Sequence, residues 1–272
     1  VQPMLARRDR DGVTLREALS DAGLQPDRVG PDRERLAQIG ALVEVHIEQD
    51  TLLRERDSPL ALGTAILPHG RWRIDLHGEA NHAGTTPLAI RRDPMLTLAA
   101  AITAARGIAA EERALATIGK LEVTPNATNA IPERVTLWLD VRAERAATVE
   151  RVVERLSAAV RTDADASGIG VEVNRESLAD AVRFSAPLRE RVAAVLAAHG
   201  IEDVPMATGA GHDAGALAGA VPTAMLFVRS ATGASHSPRE LASVEDCVFA
   251  IGALTEILAA LAHDSGAGKR HG

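Results

Sequence analysis

Tyrosine is absent from this 272-residue chain, cysteine occurs once, and tryptophan and phenylalanine together number five. With no tyrosine, no phenol enters any of the chemistry below. A single cysteine, Cys247, excludes an internal disulfide and fits a reducing compartment, so a cytoplasmic location is expected. Cys247 stands beside Val248 and Phe249 in an apolar helical stretch and reads as core. No uninterrupted apolar run reaches the length of a membrane span, which argues against insertion in a bilayer. The opening VQPMLARRDRDG lacks the apolar centre of a signal peptide. Basic excess is missing too: the formal net charge is −7, so neither nucleic acid nor an anionic membrane is an expected partner. Methionine does not stand first, and Val1 fits a chain that begins inside a longer gene.

What is present is a soluble, globular composition, 46% apolar and 25% charged, long enough for one large domain or two ordinary ones. The stretch from Leu76 to Pro94, LHGEANHAGTTPLAIRRDP, organises the rest. WRIDLHG, from Trp72, alternates apolar and polar residues as a half-buried strand does. Gly78, Asn81 and Gly84 break it, Thr85–Pro87 turn, and Pro94 opens an Ala/Leu-rich helix. That layout either delivers His82 to a site at a loop tip or is a plain strand–helix turn with a surface histidine.

Earlier in the chain, Thr14 followed by Glu17 has capping-box spacing, with Gly23 closing the helix. In ALVEVHIEQD, Glu44, His46 and Glu48 share one face of a strand. A histidine among carboxylates suits a metal or an acid–base pair; the other reading of these residues is an edge strand with a wet polar face. Between Ala61 and Glu176 the pattern changes. Strands at 62–67, 71–77, 115–123, 134–142 and 169–175 and helices at 94–110 and 146–162 give β-β-α-β-β-α-β, an open sheet with both helices on one face. Asn129 and Arg142 carry an amide and a guanidinium fork suited to a small acidic substrate, or are a turn residue and a surface ion pair. Past Leu178, helix and strand alternate again, with Gly209–Gly211 allowing close backbone approach to a ligand. His69, His199 and His271 read as surface residues.

GEANHAGTTP with RRDP closely resembles the lid motif of the metal-dependent amidohydrolases of the M20 peptidase-like superfamily. The match is to the branch of N-carbamoyl-L-amino acid hydrolases, beta-ureidopropionases and allantoate amidohydrolases. VEVHIEQ (43–49), LEVTPNATNAIPERVTLWLDVR (121–142), TGAGHDA (208–214) and SHSPRE (235–240) follow the same branch in order. The resemblance implies an α/β catalytic domain, 1–62 with 178–272, lacking its N-terminal part, around an inserted α+β lid, 63–177. It implies two divalent metals, zinc or manganese, bridged by a carboxylate and a water that becomes the attacking hydroxide. His46 and His236 match metal ligands and are expected to approach each other. His82 matches the lid histidine that stabilises the oxyanion, often in the partner subunit's site. Gln49, Asn129 and Arg142 match substrate-holding positions, and Gly211 and His212 match the loop lining the pocket.

The motifs this branch carries in its N-terminal third, a His-x-Asp with the bridging aspartate and a Glu–Glu pair, have no counterpart here. Glu111–Glu112 lie in the lid and cannot be that pair. Asp50 stands where the family has glycine. The expected activity is hydrolysis of C–N bonds in linear ureido acids, with a small ureido acid as partner and a homodimer formed through the lid. Beside it stands a truncated, catalytically incompetent chain that at most dimerises. An aminopeptidase or deacylase of the wider superfamily is the third reading, against which HIEQ, GEANHAGTTP and GAGHDA argue.

Overall fold

The computed structural model describes residues 2–9, 11–202 and 204–267, so His271 lies outside the described residues. The chain begins with helices α1 (Gln2–Leu5), α2 (Leu15–Asp21) and α3 (Arg33–Leu36) and enters strand β1 (Leu42–Ile47). Helix α4 (Leu52–Glu55) leads to β2 (Leu60–Ile66), β3 (His69–His77) and the short β4 (Asn81–His82). Then come α5 (Pro94–Glu111), β5 (Leu115–Thr124), β6 (Ala130–Ile131), β7 (Arg134–Arg142), α6 (Ala146–Ser167) and β8 (Gly170–Ala179). Last are β9 (Val182–Arg183), α7 (Ala186–Ala198), β10 (Pro205–Thr208), α8 (Asp213–Leu217), β11 (Thr223–Val228) and α9 (Val244–Ala267).

Local signals set the helix ends. Thr14 Oγ1 accepts from Glu17 N–H while the Glu17 carboxylate takes the Thr14 N–H, completing the expected capping box on α2. Asp93 caps α5 through the Met95 amide, with Pro94 at the first helical position. Gly168 stops α6 in the left-handed region, φ 65°, where a Cβ would be strained.

The strands form two main sheets. One runs β1-β11-β2-β10, with β9 added on β2. β11, TAMLFV, is buried throughout because it lies between two strands and two apolar layers. Leu188, Val192, Ala250 and Ile257 of α7 and α9 cover one face, and Leu53, Phe184 and Ala214 belong to the cluster on the other. The second sheet, β5-β7-β3-β8, is antiparallel, and β3 pairs with β7 from His69↔Arg142 to His77↔Arg134. Its inner face sends Ile74, Leu76, Leu137 and Leu139 into a core with Leu98 of α5 and Leu156 of α6. Burying side chains of this size stabilises by roughly 1.5–3 kcal/mol each, so the β3–β7 pair anchors this layer. Glu111 and Glu112 lie outside it, paired with Arg155 and Arg151 across α5 and α6.

The expected β-β-α-β-β-α-β unit needs one correction. The strand read at 62–67 is β2, which pairs with β11, β10 and β9 in the first sheet, so the inserted unit is β-α-β-β-α-β. LALGTAI is apolar on both sides and buried almost throughout, as a strand between two layers must be, whereas β3 alternates. The change of sheet therefore falls at Leu67–Pro68 rather than at residue 62. Cys247 is half-buried rather than core. Val244, Val248, Ile251 and Leu258 of α9 are exposed, an apolar stripe at helical spacing.

Candidate functional site

The connection between the sheets positions a cleft. Pro68 passes directly from β2 to β3, and its carbonyl accepts from Ala143 N–H just after β7. Leu67 N–H donates to Thr208 O at the end of β10. The Arg142 end of the second sheet is thereby held beside the loop after β10. In the first sheet β1 and β11 are parallel, with His46 opposite Phe227, so their C-terminal ends release the 48–51 and 229–240 segments side by side.

Between these parts lies a cleft of about 690 Å³, within the size range of small-molecule sites. Gln49, Asp50 and His236 line one side and Arg71, Asp140 and Arg142 another, with Thr208–Ala210 between. Gln49 Nε2 donates to Ser235 Oγ at 2.8 Å and to Glu240 Oε1 at 3.4 Å. The other oxygen of Glu240 accepts the His236 amide at 3.0 Å. Burial alone would raise the Glu240 carboxyl, but donors from His236, Ser235 and Gln49 outweigh it and hold the group below its ordinary value. Asp50 follows Gln49, whose backbone is left-handed, φ 58°, and its carboxylate accepts the Thr51 amide at 2.7 Å. On the opposite side Arg142 grips Asp140 through Nε at 2.6 Å and Nη2 at 3.2 Å, and its Nη1 donates to Gly209 O. Burial works to raise the Asp140 carboxyl as well, and the Arg142 and Arg71 guanidiniums reverse it.

Beside the cleft, the rings of His46 and His212 meet edge to face with centroids 4.5 Å apart. The His212 side chain is 2% exposed, packed also against Phe227, and burial followed by the neighbouring His46 lowers its pKa. Glu44 Oε2 accepts the Ala214 amide at 2.6 Å at the start of α8, and its other oxygen stands 3.9 Å from His212 Nδ1. Glu48, expected on the His46 face, instead turns into the interior: its oxygens accept the Leu53 and Ser230 amides, and burial raises its pKa. Gly209 and Ala210 line the cleft, and Gly211 and His212 continue the same loop, with the His212 ring against His46 and Phe227.

His82 and Asn129 lie elsewhere. β4 and β6 pair His82 with Ala130, and Ala83 N–H donates to Asn129 O at 3.0 Å. This ribbon follows the His77 and Arg134 ends of β3 and β7, and Arg142 sits at the opposite end of β7. Eight strand steps at about 3.3 Å separate the two ends, roughly 26 Å. His82 is exposed, and its Nδ1 accepts Gly84 N–H at 3.0 Å, which leaves Nε2 as the free donor. Arg91 secures the loop by donating to Ala83 O and Thr86 O.

Residues 16–260 match Peptidase family M20/M25/M40. The chain belongs to this family. Relatives include the N-carbamoyl-L-amino acid amidohydrolase of Geobacillus stearothermophilus, 35% identical over 90% of this chain and 60% of that protein. The allantoate amidohydrolase of Bacillus subtilis is 31% identical over 94% of this chain and 62% of its own length. Among solved structures, a hydantoinase/carbamoylase family amidase from Burkholderia vietnamiensis superimposes with a TM-score of 0.84 at 28% identity, covering 94% of this chain and 61% of that one. The chain thus spans about three-fifths of the length of the curated relatives it matches.

Enzymes of the M20 family are generally metal-dependent, yet the described residues do not fit a metal centre: no group of three His, Cys, Asp or Glu among them could hold an ion. His46 directs Nδ1 to Ile47 O at 2.8 Å, which leaves Nε2 open, but both oxygens of Glu48 and one of Glu44 are taken by backbone amides. Catalytic zinc ordinarily takes three protein ligands. Sequence reasoning missed Arg71, Asp140 and Glu240. The last two stood inside the quoted motifs LDVR and SHSPRE, and only the fold shows what they hold.

Proposed function

We propose that this chain serves hydrolysis of the C–N bond of linear ureido acids, N-carbamoyl amino acids or allantoate, as part of a protein of this family. The supporting observation is the meeting of Gln49, His236 and Arg142, from three distant segments, around one cleft of small-molecule size. Residues 1–66 with about 180–272 act as the catalytic module and the sheet between as its lid. Within the cleft, Gln49, held by Ser235 and Glu240, presents an amide to the substrate's polar end, and the β3–β7 wall carries the cationic groups for its carboxylate. His46 and His236 are imidazole donors toward a metal centre whose other donors the described residues do not supply.

His82, with Nε2 as donor, suits stabilisation of an oxyanion, and Asn129 beside it suits the carbamoyl group. Their distance along β7 from the chain's own cleft supports service to the cleft of a second copy in a lid-mediated dimer. The test is titration of chain 1–272 with N-carbamoyl-L-alanine, allantoate and N-acetyl-L-alanine. The carbamoyl and ureido compounds are expected to bind more tightly than the acetyl one. Equal affinities would overturn the reading.

A further inference from the structure

The loops that carry Gln49 and His236 are joined twice. At their tips the Glu240 carboxylate accepts Gln49 Nε2 and the His236 amide. At their roots Glu48 makes a second joint. Its N–H donates to Val228 O at 2.9 Å, which carries the β1–β11 pairing one residue further. Its carboxylate accepts the Leu53 amide through Oε2 at 2.9 Å and the Ser230 amide through Oε1 at 3.0 Å. Leu53 lies in the first turn of α4, where the cap residue Thr51 makes no capping bond and donates its hydroxyl to Glu55, so Glu48 does the capping. Ser230 is buried at the start of the segment that leads to Ser235, His236 and Glu240, and its hydroxyl accepts the Gly233 amide. That segment rests on the first loop: a Cβ at Gly233 would stand 2.6 Å from Thr51 Cγ2. Glu48 forms part of the cleft floor but is only 2% exposed, with both oxygens engaged, so it reaches a ligand through its neighbours.

We infer that Glu48 is a positioning residue: its buried carboxylate fixes the roots of both loops, aims the Gln49 amide, and so sets the preference of the cleft for a carbamoyl over an acyl group. The inference rests on the reading of Gln49 as the contact for the substrate's polar end. With Nε2 on Ser235 and Glu240, Gln49 keeps Oε1 as an acceptor. An acceptor there meets the NH2 of a carbamoyl group and finds only a methyl in an acetyl group. The chemistry of the joint calls for a carboxylate. Two amides from two segments need two acceptor oxygens, and bonds to an ionised acceptor are the stronger kind. A glutamine in its place would keep one acceptor and set an NH2 against the other amide, freeing one root. Glu55, exposed on α4 and bonded to the Thr51 hydroxyl, serves as the control.

The experiment measures binding of N-carbamoyl-L-alanine and N-acetyl-L-alanine to chain 1–272, to Glu48→Gln, Gln49→Leu and their double variant, and to Glu55→Gln. The NMR signal of the Gln49 side-chain amide, identified by its loss in Gln49→Leu, is followed alongside. The wild type is expected to prefer the carbamoyl acid by about three- to tenfold, the size of one neutral hydrogen bond. Glu48→Gln and Gln49→Leu should each lose that preference, the double variant should lose no more than either, and Glu55→Gln should keep it. In Glu48→Gln the Gln49 amide signal should move to the position of a free amide. Should Glu48→Gln not fold, Glu48→Asp takes its place with the same expectation, because its shorter side chain meets one amide at a time. A preference that survives in the folded variant, or an unmoved signal, would overturn the inference, since Glu48 would then only stabilise the fold. Losses that add in the double variant would overturn it too, because Glu48 would then meet the ligand itself. Equal affinities in the wild type, or no binding, would sink the ureido reading instead. The Gln49 signal then decides alone: displaced in Glu48→Gln, the positioning role stands, and unmoved, it falls.

Discussion

Gln49 and His236 both hold left-handed backbone, φ 58° and 53°, and both donate to the same carboxylate, that of Glu240. Such conformations cost on the order of 1 kcal/mol or more for residues with a Cβ and persist only where neighbours impose them. Glu240 and Ser235 impose them here. Replacing Glu240 with Ala should free both turns, seen as faster hydrogen exchange of the His236 amide by about tenfold, with little change in global melting. Unchanged exchange would show that the turns stand without it.

Gly78 opens the GEANHAGTTP motif for a steric reason. A Cβ there would stand 2.3 Å from Arg92 O and 2.6 Å from Pro94 Cδ. Gly78→Ala must push away the segment that enters α5, at a cost of about 1–3 kcal/mol in urea unfolding. The His82 loop, secured by Arg91 next to that segment, should loosen with it.

Asp246 accepts from Arg229 at 2.8 Å and 3.1 Å and pairs with Ser243 at the start of α9. Burial works to raise its carboxyl, but Arg229 and Ser243 prevail and hold it below its ordinary 3.8. A depressed folded pKa means that the stabilisation is complete above the unfolded value and is lost as pH falls through the folded one. Asp246→Asn should therefore cost about 1–3 kcal/mol at neutral pH. The gap from wild type should stay constant above about pH 5 and shrink below about pH 4. A gap that widens on acidification would refute this.

Metal content gives a separate check. After loading with zinc or manganese and gel filtration, chain 1–272 should retain less than about one ion. It should release no ammonia from N-carbamoyl amino acids or allantoate above background. Turnover in the ordinary range of about 1–1000 per second, abolished by His236→Ala, would contradict the expectation.

The remaining prediction concerns assembly. β5 is an edge strand of the second sheet, and Leu115 and Leu121 on it are 69% and 44% exposed. Light scattering at micromolar concentration should return twice the 28.6 kDa chain mass. A single-chain mass would remove the route by which His82 reaches a second cleft.

The local grammar of this chain was legible without coordinates. Thr14 and Glu17 announced their capping box, alternation in WRIDLHG announced a strand, and the Ala/Leu run after Pro94 announced a helix. These features depend on neighbours within a turn or two, and the sequence carries them directly. The family motifs likewise sit in short stretches. Pairing could not be read in the same way. LALGTAI is apolar on both faces, so its pattern does not say which sheet it joins, and only contact with β11 and β10 decided that. The fates of the polar groups were equally distant in cause. Glu48 became a buried acceptor because Ser230 lies across the sheet, and His212 turned inward because His46 and Phe227 were there to meet it. Arg71 kept free donors because the β3–β7 register gave it only one edge of Asp140. Side chains as many as 191 positions apart acquire partners only when the chain folds, and those partners decide which charges remain open to a ligand.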